Sequence, residues 1–119
     1  MKIQFKSTAD APDYYTFNSY SFVAEKDGKS ESFDMSELEY GDKFVGLEIE
    51  TLSLNSSHIL RDAYCDEQGE LYVTLCQYTG PGHWGESDWL DSSKYDPDKI
   101  YVEYKNKEHA GTPYAVTQR

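Results

Sequence analysis

The dipeptide Asp27-Gly28 constrains this chain more than any other feature. A two-residue hairpin turn needs φ > 0 at both central positions, and Asp-Gly is one of the few pairs that adopt it without strain. The flanking runs, residues 14–24 and 30–35, alternate apolar and polar side chains with the period of two of a half-buried strand. Centring the turn on Asp27-Gly28 sets Phe22 opposite Phe33 and Tyr20 opposite Met35, all on one face. Turn chemistry and hydrophobic pattern agree, so a hairpin is expected here.

The same period recurs along the chain. Residues 2–6 turn Ile3 and Phe5 inward as a short first strand, and residues 7–13 form a connector through Ala11-Pro12-Asp13. Residues 35–40 have room for one helical turn capped by Asp34 or Ser36, and Tyr40-Gly41-Asp42 reads as a turn. The longest strand candidate is 44–54. Val45, Leu47 and Ile49 share a face there before the pattern switches to Leu52 and Leu54, which predicts a bulge or bend. Asn55-Ser56-Ser57 is a loop. A second hairpin, 58–66 with 70–78, turns about Glu67-Gln68-Gly69 and buries Leu71, Val73 and Leu75. Residues 79–98 form a long loop interrupted by Gly80-Pro81-Gly82 and Asp96-Pro97-Asp98. Residues 99–104 are the last strand, with Ile100, Val102 and Tyr104 inward. The expected fold is all-β: antiparallel hairpins in a small sandwich or partly open barrel, with at most one short helix. The expected organisation is one domain over 1–104, carrying an aromatic and acidic loop at 79–98, and a C-terminal tail over 105–119.

Composition decides whether such a chain folds at all. Leu, Ile, Val and Phe supply only 22 of 119 residues, which at a net charge of -11 lies in the disorder-prone range. The 11 Tyr, 5 Phe and 2 Trp restore the missing apolar area, since each ring buries ~150–250 Å². A folded domain with a thin, ring-filled core is expected. The excess of 22 acidic over 11 basic side chains argues against direct nucleic-acid binding and against an anionic membrane surface. No apolar run approaches the ~20 residues of a membrane span, and the first seven residues lack a signal-peptide core. A soluble cytoplasmic protein, or a virion-associated one after assembly, is the expectation. Residues 99–119 carry 4 basic and 2 acidic side chains against 7 and 20 in residues 1–98, so the tail can face its own acidic body or an acidic neighbour.

No catalytic or cofactor pattern emerges. Cys65 and Cys76 lie on opposite arms of the second hairpin, and neither a two- nor a three-residue turn brings them within disulfide reach, so both are expected to be reduced. His58, His83 and His109 lack metal-ligand spacing, and no GxSxG elbow accompanies them. Glu86, Asp88, Asp91, Asp96 and Asp98 place five carboxylates in thirteen residues without an EF-hand pattern. Asx turns and caps at Ser87-Asp88 or Asp91-Ser92 account for such acids, and no metal is expected. A non-enzymatic role follows.

The candidate partner-binding residues are Trp84, Trp89, Tyr95, His83 and Asp88 on the long loop. Trp and Tyr dominate interface hot spots and also stack on sugars. A structural role competes: the rings could fold down and plug an open end of the sheet. Glu48 and Glu50, if they alternate on a strand, stand ~6.8 Å apart, near the phosphate repeat of a nucleic-acid strand.

The run Tyr72-Val73-Thr74-Leu75-Cys76-Gln77, continuing into Gly82-His83-Trp84 and Ser87-Asp88-Trp89, resembles the small acidic, Tyr-rich proteins of bacteriophage and prophage tail or accessory regions. The resemblance implies a virion-associated or host-interaction role. The resulting expectation is a protein-binding or assembly module, with homo-oligomerisation left open. The alternatives are a carbohydrate-binding module and an acidic inhibitor that mimics nucleic acid.

Overall fold

A computed structural model of the chain describes residues 1–77 and 87–96. Among these described residues there are seven strands: β1 (Lys2–Ser7), β2 (Tyr14–Phe17), β3 (Ser21–Lys26), β4 (Lys29–Asp34), β5 (Leu60–Cys65), β6 (Leu71–Gln77) and β7 (Leu90–Asp91). They form one sheet of order β5-β6-β1-β7 and a second of order β2-β3-β4. The helical pieces among the described residues are 3-10 turns over Ser56–His58 and Ser92–Lys94. The fold is all-β and sandwich-like, and its sheets are not closed into a barrel.

The Asp27-Gly28 hairpin forms as its turn chemistry dictates. Both residues take positive φ, 53° and 78°, and Phe22 pairs with Phe33. Its first arm, however, is two strands. Asn18 N donates to Ser21 O at 2.9 Å, folding 14–24 at Asn18-Ser19-Tyr20 and pairing Phe17 with Phe22. Tyr20 still meets Met35 through its backbone carbonyl, but its ring lies in the turn and is 54 % exposed rather than inward.

The second hairpin closes around the three residues Glu67-Gln68-Gly69. Gly69 at φ 84° follows a turn in which its amide donates to Asp66 O, and the Asp66 carboxylate accepts from Gln68 N and Glu70 N. This register sets Cys65 opposite Leu71, with a bulge between Leu60 and Asp62. Cys65 and Cys76 are both free and buried.

β1 departs from the antiparallel hairpin pattern by running parallel to β6 at the centre of its sheet, Ile3 beside Val73 and Phe5 beside Leu75. Those four side chains are fully buried. Tyr15 crosses from the smaller sheet, its hydroxyl donating to Cys76 O at 2.5 Å and lying 3.3 Å from Ile59 O. Phe5, Tyr15, Phe22 and Phe33 supply rings to one continuous core with Leu52, Leu54, Ile59 and the β6 aliphatics.

Residues 44–54 do not form the expected strand; Leu52 and Leu54 are buried from an irregular segment. Gly46 leaves the extended conformation at φ 123°, and over 50–52 a side chain takes the place of a strand partner. Glu31, on β4, accepts from the amides of Glu50, Thr51 and Leu52 at 2.6, 2.8 and 3.1 Å, supplying the partners that a neighbouring strand would otherwise provide. Residues 35–40 form a single turn, Leu38 N to Met35 O, with Asp34 capping Ser36 N, and no helix follows. The expected strand 99–104 and tail 105–119 lie outside the described residues.

Partial loss of water raises the Glu31 pKa, but the three amide donors outweigh it and leave the carboxyl below its usual 4.5. The ionised form is the one held, so its contribution is present above 4.5 and is lost as pH falls through the lower folded value. Hydrogen exchange should find the Glu50, Thr51 and Leu52 amides protected at neutral pH and opened about tenfold or more in Glu31→Gln, since each hydrogen bond to a charged acceptor counts for ~1.5 kcal/mol or more. Equal protection in the variant would remove Glu31 as their anchor.

Candidate functional site

The face of the larger sheet turned away from the core carries a cluster of three rings. Alternation along β5 and β6 places Tyr64 opposite Tyr72 on that face, with Asp62 opposite Thr74 beside them. Tyr64 and Tyr72 stack in parallel, centroids 4.9 Å apart and planes 4° from coincidence. Trp89 stands perpendicular to both, 5.4 Å from Tyr72 and 6.5 Å from Tyr64. Trp89 and Tyr64 are 40 % and 43 % exposed.

Ser87 determines where Trp89 arrives. Its amide donates to Phe5 O and its hydroxyl accepts from Phe5 N, both at 2.8 Å, so the chain docks on the free edge of β1. The Gln4 amide donates to Ser87 O at 3.2 Å, while Thr74 Oγ1 donates to Gln4 Oε1 at 3.1 Å. From there the chain enters β7, where Asp91 lies 3.9 Å from Lys2 Nζ and caps Ser93 N. Loss of water around the Tyr72 hydroxyl raises its pKa, and the negative charge of Asp66 adds to the shift.

The loop aromatics divide between two roles. Trp89 joins the outer face, and Asp88 beside it is exposed. Tyr95 turns to the core side, 5.1 Å from Phe17 and 5.5 Å from Phe5, and its hydroxyl accepts from Tyr15 N at 3.2 Å. Burial pushes its phenol up to about 12. The structure therefore does not bring Tyr95 together with Trp89. His83, Trp84, Glu86 and Asp98 lie outside the described residues.

Tyr64 and Tyr72 were not among the expected site residues. The signal was present: a three-residue turn at Glu67-Gln68-Gly69 pairs them directly, and both stand at outward positions of their strands. Glu48 and Glu50 do not alternate on a strand, because none forms there. Among the described residues no three of His, Cys, Asp or Glu converge as a metal site, and no helix is long and apolar enough to cross a membrane.

Comparison of the chain with protein-family models, with curated proteins and with solved structures finds no significant match.

Proposed function

We propose that the chain is a non-enzymatic protein-binding or assembly module, encoded as a phage or prophage accessory or virion-associated protein, that engages its partner through the outer face of the larger sheet. One observation carries this reading: Tyr64, Tyr72 and Trp89 form a ring cluster on a hydrogen-bonded sheet rather than in the core, and two of them are more than a third exposed. A cluster held by strands is preorganised, so little ordering entropy opposes its use in binding. The phage-like texture of residues 72–77 and 87–89 supports the setting.

A carbohydrate ligand is the second reading, favoured by the partly exposed rings of Tyr64 and Trp89, on which a sugar can stack.

Affinity capture from lysate of the native host, followed by direct binding of the purified partner, tests the first reading. The double change Tyr64→Ala and Trp89→Ala should weaken binding about thirtyfold or more, as expected for hot-spot rings worth ~2 kcal/mol or above. The melting temperature should fall only modestly, because both rings are already partly in water. A partner that binds the variant equally well would move the interface elsewhere.

A further inference from the structure

We propose that the Tyr64–Tyr72–Trp89 cluster receives a guanidinium group, so that the partner of this face presents an arginine-rich segment. This rests on the protein-binding reading above and names the chemistry of that same surface.

Ring geometry is the first ground. Tyr64 and Tyr72 turn faces toward each other, while Trp89 meets them at 80° and 83°. Tyr64 and Trp89 remain 43 % and 40 % exposed, so the π surface not covered by their neighbours is open to a cation. A sugar ring instead needs one open, flat aromatic face.

Charge complementarity is the second ground. Asp62 stands opposite Thr74 on this face, and the turn that joins β5 to β6 adds Asp66 and Glu67, while Glu70 is engaged by the N-terminal ammonium at 3.3 Å. The charge of Asp66 also acts on the Tyr72 hydroxyl, so the ring that the cation would meet stands in a negative field. The bases of the same face lie on β1: Lys2, the register neighbour of Tyr72, is turned to Asp91 at 3.9 Å, and Lys6 lies beside Cys76. Arg61 lines a separate cleft with Phe44, Val45 and Leu47. The open approach therefore runs from the β5 side, across carboxylates, into the rings. The chain as a whole carries a net charge of -11, which speeds encounter with a basic partner. Guanidinium fits better than ammonium because it is planar, stacks on rings and is more weakly hydrated.

Calorimetric titration with hexa-arginine amide, hexa-lysine amide and a neutral hexasaccharide tests the proposal. Hexa-arginine should bind, and hexa-lysine should bind more weakly at equal charge. Tyr64→Leu with Trp89→Leu, which leaves every charge in place, should lower hexa-arginine affinity about five- to tenfold, as expected for the loss of cation–π contacts at partly exposed rings. If circular dichroism shows that the double variant is unfolded, Tyr72→Phe replaces it. That change keeps all three rings but removes the hydroxyl of the Tyr72 ring, and should weaken binding about twofold. Hexa-arginine binding that is unchanged in these variants would be general attraction to an acidic protein and would overturn the proposal. So would no binding, or binding of the neutral hexasaccharide through the same rings. A lysate partner that needs Tyr64 and Trp89 while hexa-arginine fails would leave the module reading standing and remove only the guanidinium.

Discussion

Tyr15→Ala should remove about 3–5 kcal/mol of stability, a large part of the ~5–15 kcal/mol that holds a domain of this size together. The side chain is 2 % exposed and spans the two sheets, with rings of Phe5, Phe17 and Phe22 around it at 5.9 to 6.2 Å. Its removal opens a cavity that neighbours on two separate sheets cannot both relax to fill. Tyr15→Phe separates packing from hydrogen bonding. It keeps the ring and strips Cys76 O of its donor, with an expected cost of about 1–3 kcal/mol. Urea denaturation followed by fluorescence reads both variants. A Tyr15→Ala protein within about 1 kcal/mol of the parent would mean that the sheets are not joined there.

Tyr95→Ala should cost about 2–4 kcal/mol, less than Tyr15 because the ring is only half-buried. The same residue gives the protein an alkaline limit. The neutral phenol is the form that fits, and its pKa rises from 10.0 to about 12 on folding. Its stabilising contribution is therefore full below pH 10 and is lost as pH climbs through 12. Burial raises the Tyr15 hydroxyl in the same direction. Denaturation midpoints should hold steady from pH 8 to 10 and then fall, with a smaller fall in Tyr95→Phe. Phenolate absorbance should show part of the 11 tyrosines titrating late, together with unfolding. If all of them titrate near pH 10 with no loss of structure, Tyr95 is not in the core.

The sequence reading succeeds where structure is local. Asp27-Gly28 fixes both a turn and a register, so Phe22 and Phe33 can be paired without reference to the rest of the chain. It fails where a distant group intervenes. The alternation over 44–50 is that of a strand, yet Glu31, nineteen to twenty-one positions upstream of its partners, takes the amides that a strand would have shared. Tyr20 continues an unbroken period of two, and only the Asn18–Ser21 hydrogen bond reveals the turn. The candidate site follows the same division. Trp89 was legible as a loop aromatic, but Tyr64 and Tyr72 gain their meaning from the register of one turn, and Tyr95 reaches the core only because Ser87 and β7 dock on β1. No local pattern encodes that docking.

The position of β1 also orders events in time. It is made before its partners, yet it sits inside its sheet and pairs with residues 71–77 and 90–91. The smaller sheet needs only residues 14–34 and can close by short-range hairpins as soon as they leave the ribosome. β1 must wait, its apolar Ile3 and Phe5 unpaired, until residues 71–77 have been synthesised. The slow step of folding is then the insertion of an early strand between two later ones, and changes at Ile3, Phe5, Val73 or Leu75 should prolong the interval in which nascent chains aggregate.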